Sequence, residues 1–222
     1  MKTIKILTRN KAEFVSKSTR HIEQLIQELL IDKPIINIAL SGGSTPMPIY
    51  EKLRDCEIEW SRINFFLVDE RCVPNTSDQS NYNNISEVLF KHISSKSYPM
   101  VCDANNYGKS ANLYEDTIIK HVELLNNKPQ FDLIILGMGL DGHTASLFPN
   151  TKALNNDQDL VVLNNVPQLD TDRITMTYPL IINSNKIVLL IQGNEKQQVL
   201  KESVSKNFPI SRIIPYIDYI IN

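Results

Sequence analysis

The 222-residue chain is short of several things, and each shortage narrows what it can be. It has no excess of either charge, with 23 Lys+Arg against 25 Asp+Glu and a formal net charge of −2. A nucleic-acid binder ordinarily carries a basic excess or stripe, so that class is excluded and no nucleic-acid partner is expected. Paired cysteines are also missing, since Cys56, Cys72 and Cys102 are odd in number and form no C-x-x-C spacing. Such a pattern encodes neither a disulfide framework nor a zinc site. Cys72 is therefore expected to be unpartnered and packed, in a reducing compartment. Long apolar runs are absent too. Leu133–Leu136 and Ile187–Ile191 fall far below the ~20 residues that cross a bilayer. Ile4, Ile6 and Leu7 are too short a core for a signal peptide, so the expectation is a soluble, cytoplasmic protein without a membrane partner.

Glycine is scarce: of the seven in the chain, five fall in two places, Gly42-Gly43 and Gly137, Gly139 and Gly142. In a Gly-poor chain this concentration marks two loops with special backbone demands. Asn clusters at 105–106, 126–127, 155–156 and 164–165, where its tolerance of left-handed backbone suits turns.

What is present reads as alternating strands and helices. Val15, Ile22, Leu25, Ile26 and Leu29 repeat near 3.6 residues and predict a helix over 11–31. Apolar runs at 35–40, 63–68 and 131–136 predict buried strands, with further strands at 160–163, 174–177 and 187–191. Pro46 opens a helix that continues through Leu53. Helices are also expected at 80–92, 109–125 and 195–205. Strands apolar throughout, alternating with helices, indicate an α/β protein whose sheet is covered on both faces. No linker divides the chain, so residues 1–222 form a single domain, with room for a small subdomain in the loop-rich 140–170 region. A chain of this size buries roughly 70% of its unfolded surface without staples. Monomer is the preferred state, because no helix carries a coiled-coil seam or an excess apolar face.

In open α/β sheets, ligands bind outside the carboxyl ends of the strands. Four such ends here are polar or Gly-rich: Ser41 to Thr45, Asp69-Glu70-Arg71, Gly137 to His143, and Gly193 to Lys196. In the first, Gly42 and Gly43 let backbone N–H groups approach a ligand, Ser44 and Thr45 add hydroxyls, and the following helix presents its N-terminus, a combination suited to phosphate. The loop is neither a Walker A nor a G-x-G-x-x-G sequence, and by itself serves equally as a tight turn with an N-cap. His143 stands at the expected start of a short helix, with Asp141 at i−2, and imidazole takes a proton from water near neutral pH. His21, His92 and His121 lack any such surroundings and are expected at the surface. Ser146 reads as a cap or packing residue, since no G-x-S-x-G elbow exists. Adjacent residues on an extended strand point opposite ways, so one of Asp69 and Glu70 is expected to face the site and the other to form a structural salt bridge. No H-E-x-x-H or other metal-ligand spacing occurs, so no metal is expected.

Together, Ser41-Gly42-Gly43-Ser44-Thr45-Pro46, Val68 to Pro74, Ser80-Asn81-Tyr82, Gly137 to Pro149, Arg173 to Thr177 and Gly193 to Lys196 resemble the 6-phosphogluconolactonases, in the family's order. The resemblance implies a modified Rossmann-like, mostly parallel sheet with helices on both faces. It also implies hydrolysis of 6-phospho-D-glucono-1,5-lactone in the oxidative pentose phosphate pathway, without cofactor. By motif, His143 is the base that activates water, Asp141 orients it, and Gly43, Ser44 and Thr45, beside Gly42, hold the phosphate with Arg173 and Lys196. Asp69 joins the substrate site, and Arg71 faces either the phosphate or the developing oxyanion. The chain departs from the family at Asp172, where Pro is common, and near Asp218, where Tyr216 and Tyr219 replace the usual Trp. The related glucosamine-6-phosphate deaminases share the phosphate loop, but carry Tyr at the place of Arg71 and Asn-Glu-Pro at the place of Leu147-Phe148-Pro149. A sugar-phosphate-sensing module is the remaining alternative, and the intact Asp141/His143 pair speaks against it.

Overall fold

A computed structural model of the chain describes residues 3–103 and 106–222. In chain order the elements are β1 (Ile4–Ile6), α1 (Lys11–Asp32), β2 (Ile36–Leu40), α2 (Met47–Leu53), β3 (Ile63–Leu67), β4 (Asp69–Arg71), α3 (Asn81–Val88) and β5 (Lys96–Ser97). They continue as α4 (Tyr107–His121), β6 (Leu124–Leu125), β7 (Lys128–Pro129), β8 (Leu133–Leu136), β9 (Val161–Val166) and β10 (Thr171–Met176). The last are α5 (Tyr178–Ile182), β11 (Ile187–Leu190), α6 (Asn194–Glu202) and β12 (Tyr219–Ile221).

The main sheet has the order β1-β12-β11-β8-β2-β3-β5, and every pairing in it is parallel. All residues of β2, β8 and β11 are buried, as parallel strands covered on both faces must be. Helix α1 is capped by the Asn10 side chain, which accepts from the Glu13 N–H at 2.9 Å, and packs against α2, which in turn packs against α3. No helix is long and apolar enough to cross a membrane among the described residues.

A second sheet, of order β4-β10-β9, is antiparallel. Val68 links the two: its N–H donates to the Leu40 carbonyl beside β3, while its carbonyl accepts from the Met176 N–H at the end of β10. The apolar runs expected at 160–163 and 174–177 thus belong to a hairpin outside the parallel sheet. Asn164-Asn165, expected in a turn, lies within β9, whereas Asn126 and Asn127 do form the left-handed turn between β6 and β7, with φ of 52° and 63°. That hairpin also ends α4 at His121, short of the expected 125. The helix expected over 80–92 is α3 followed by a separate 3₁₀ turn at Phe90–His92.

The cysteine expectation is overturned. Cys72 and Cys102 form a disulfide, with Cα atoms 5.0 Å apart, and Cys56 alone is free. The fold brings the end of β4 against the segment that precedes α4, a meeting that spacing along the chain does not reveal. With two of the three cysteines bonded, their number and spacing no longer indicate a reducing compartment.

Candidate active site

The cleft lies where both sheets meet the carboxyl ends of β2 and β8. Its volume is about 230 Å³, and Gly42–Thr45, Asp69, Arg71, His143, Arg173 and Lys196 all line it. Sites for drug-sized ligands run from ~300 to 1,000 Å³, so this one suits a monosaccharide-sized ligand.

The loop after β2 is anchored below by Tyr50, whose hydroxyl donates to the Ser41 carbonyl at 3.0 Å. Gly43 has φ +92°, a conformation that favours glycine. At Gly42 the reason is space, since a Cβ there would sit 1.9 Å from Asn81 Oδ1. The backbone N–H groups of residues 42–45 donate to no acceptor among the described residues. Helix α2, seven residues long, contributes little of the expected dipole; the loop's own N–H groups form the cradle.

Strand β4 sorts its two acids by alternation. Asp69 turns into the cleft, and its Oδ2 accepts from Ser146 Oγ at 2.6 Å, so Ser146 is a tether rather than a cap. Glu70 turns away and is fully buried, but it forms no salt bridge among the described residues. Its carboxylate accepts from the N–H groups of Arg71, Asn81 and Tyr82 and from Ser80 Oγ. Burial pushes the Glu70 pKa up, while these four donors oppose the rise.

Arg71 and Arg173 are direct Cα partners across the β4–β10 ladder. Like charges placed opposite each other repel, and here both side chains line the same cleft. Arg71 Nη1 donates to the Gln79 carbonyl at 2.5 Å. Nε of each arginine is buried without a partner among the described residues. Burial lowers the Arg173 pKa; Asp69 opposes this and Arg71 reinforces it. Burial also lowers the pKa of Lys196, which stands in the first turn of α6. An arrangement of three cations, unpaired N–H groups and hydroxyls is a receptor for a compact anion. Asp172 does not disturb it, for its side chain turns to Asn165, whose amide donates to Oδ1 at 2.9 Å.

The loop after β8 carries Asp141 and His143, without the short helix expected at His143. Asp141 Oδ1 lies 2.5 Å from His143 Nδ1 and accepts from the His143 N–H at 3.2 Å. Burial raises the Asp141 pKa, but the hydrogen bonds and charge of His143 outweigh it and leave the carboxyl below its usual value. An ionised Asp141 selects the Nδ1–H tautomer and leaves the Nε2 lone pair free. The loop closes through the Gly139 N–H, which donates to the His143 carbonyl at 2.9 Å. A Cβ on Gly139 would lie 2.2 Å from both His143 Nδ1 and Cε1. The substitution Gly139→Ala is accordingly expected to displace the imidazole and lower turnover at least about tenfold while the fold persists. Steady-state rates beside circular dichroism check this, and undiminished turnover would contradict the packing described.

A sequence profile described as glucosamine-6-phosphate isomerases/6-phosphogluconolactonase matches residues 9–218. The chain belongs to this family. It is 34% identical to a 6-phosphogluconolactonase of Chlamydia pneumoniae, over 94% of this chain and 82% of that one. Identity to the Thermotoga maritima 6-phosphogluconolactonase is 38%, over 89% and 87% of the two chains. A crystal structure of the Thermotoga maritima enzyme superposes with a TM-score of 0.84 at 33% identity, covering 99% and 98%. The Trypanosoma brucei 6-phosphogluconolactonase gives 0.87 at 25% identity, covering 99% and 95%. The modified Rossmann-like, mostly parallel sheet expected for the glucosamine-6-phosphate isomerase/6-phosphogluconolactonase family is the one observed.

Ser41 and Asn81 also line the cleft, although the sequence marks neither as a site residue. Ser41 and Asn81 are buried, and Ser41 Oγ and Asn81 Oδ1 lack partners among the described residues. The Ser80-Asn81-Tyr82 motif was the available signal for Asn81. Asp141 stands beside the cleft behind His143. Of the other histidines, only His92 is exposed; His21 packs on Tyr219 and His121 on Tyr98.

Proposed function

We propose that this cleft hydrolyses 6-phospho-D-glucono-1,5-lactone to 6-phospho-D-gluconate, the second step of the oxidative pentose phosphate pathway. The observation that carries this reading is the Arg71–Arg173 pair in register, facing the same cleft as the Asp141–His143 pair. Arg173 of the first pair grips the phosphate, and His143 of the second activates water. Residues 42–45, Arg173 and Lys196 hold the 6-phosphate, and Arg71 and Asp69 line the space left for the sugar. His143 Nε2 takes a proton from water as its oxygen attacks C1. The carbonyl electrons move to oxygen, and the nearby positive charge stabilises that oxyanion. When they return, the C1–ring oxygen bond breaks and His143 protonates the leaving oxygen. A lactone is a reactive ester, so no covalent nucleophile is required. Every residue invoked comes from a single chain, which acts as one domain with the β4-β10-β9 sheet forming one wall.

A coupled assay comparing this lactone with glucono-1,5-lactone tests the proposal. Loss of the phosphate is expected to lower kcat/KM at least about tenfold, because a remote anchor supplies orientation to the reacting centre. Equal rates would remove the phosphate cradle. Glucosamine 6-phosphate, run alongside, is expected to release no ammonia, and release would transfer the site to the isomerase branch of the family.

A further inference from the structure

Phe148 is 3% exposed, and its ring stacks on the His143 imidazole, with centroids 3.9 Å and planes 25° apart. The Arg173 guanidinium carbon lies 5.8 Å from the centroid of the same ring. Asp141 fixes the direction of Nδ1, and Gly139 closes on the Nδ1–Cε1 edge. A single hydrogen bond at Nδ1 leaves the imidazole free to swing about it. A flat partner at stacking distance removes that freedom.

We propose that Phe148 is a positioning residue for His143, setting the plane of the imidazole so that Nε2 is presented to the cleft. The proposal rests on the reading of His143 as the base. An aromatic ring does this where an aliphatic side chain of similar size does not, for two reasons. Its flat face excludes tilted orientations that a branched chain accommodates. Its negative π-face also favours the imidazolium formed while the water proton is held on His143. Phe148 touches no reacting atom in this scheme; it acts through the imidazole.

The test compares the wild-type chain with Phe148→Leu and Phe148→Tyr. Phe148→Leu is expected to lower kcat about tenfold, the scale of one aromatic stacking interaction, with KM held within about twofold. Phe148→Tyr, which keeps the ring face, is expected to restore kcat. Nitrogen-15 spectra of the histidine side chains in substrate-free protein give an independent reading. The wild type and Phe148→Tyr are expected to show the Nδ1–H tautomer at His143, and Phe148→Leu a mixture of both tautomers, because a ring released to tilt leaves its hydrogen bond with Asp141 for part of the time. An unchanged kcat in Phe148→Leu, a loss confined to KM, a Phe148→Tyr as impaired as Phe148→Leu, or unchanged tautomers would each overturn the proposal. If Phe148→Leu does not fold, Phe148→Met takes its place as the ring-free variant. Should the wild type hydrolyse no lactone, the functional reading fails, while the tautomer spectra still decide the role of Phe148.

Discussion

Replacing His143 with alanine is expected to lower lactone turnover by at least about 10²-fold, the lower end of what a positioned general base contributes. The basis is the Nδ1 contact with Asp141 at 2.5 Å, which leaves Nε2 as the only ring nitrogen available to water. KM is expected to change little, because the phosphate cradle is built from other loops. Folding is expected to survive, since the His143 side chain is 29% exposed and lies in a loop rather than the core. Asp141→Asn is expected to cost less than His143→Ala, as it disturbs the tautomer without removing the base. Steady-state kinetics on both variants, with thermal melts as the folding control, decide the matter. Near-normal turnover in His143→Ala would sink the base assignment.

Opening the Cys72–Cys102 disulfide is expected to destabilise the chain by about 3–4 kcal/mol, from the entropy returned to an unfolded loop of that length. The bond closes a separation of 30 residues that includes α3, β5 and the donors around Glu70. For a chain of this size the loss corresponds to a fall of about 10 °C in Tm. Reductant should lower the wild-type Tm and leave that of Cys102→Ser unmoved. Thiol titration of the unfolded, unreduced protein should find Cys56 alone. A wild-type Tm indifferent to reductant would refute the expected contribution.

The parts of the fold legible in the sequence are those decided by local patterning. Strands β2, β3, β8 and β11 are continuous apolar runs, and α1 follows its 3.6-residue period to within one residue. Illegible were the elements that exist only because a distant segment meets them. Strands β1 and β12, three residues each, form a parallel pair that joins the two ends of the described chain. Strand β4 pairs with residues about a hundred positions later, and the disulfide follows from the same long-range meeting. Val122 continues the apolar period of α4, yet the turn at Asn126-Asn127 draws the chain into a hairpin instead.

The site divides in the same way. Loop chemistry pointed to Gly42–Thr45, His143 and Asp141, because glycine spacing and residue type are local facts. Facing of Arg71 by Arg173 depends on strand register, which the sequence does not display. The acid of the Asp69-Glu70 pair that turns from the cleft is expected to form a salt bridge; Glu70 is that acid, yet it accepts from backbone N–H groups because Ser80-Asn81-Tyr82 folds back onto it. Ser146 reads locally as a cap or packing residue, whereas its hydroxyl donates to Asp69, 77 positions away.

The opposed arginines have a consequence for selection among anions. A chain with a formal net charge of −2 is close to balance overall, yet it gathers Arg71, Arg173 and Lys196 inside one small recess. On the function proposed above, an anion small enough to enter the recess relieves the repulsion between Arg71 and Arg173 as it arrives. The field of these cations acts at short range, and dissolved salt screens it over roughly 8–10 Å at physiological ionic strength. On that reading the recess selects its ligands by size as much as by charge.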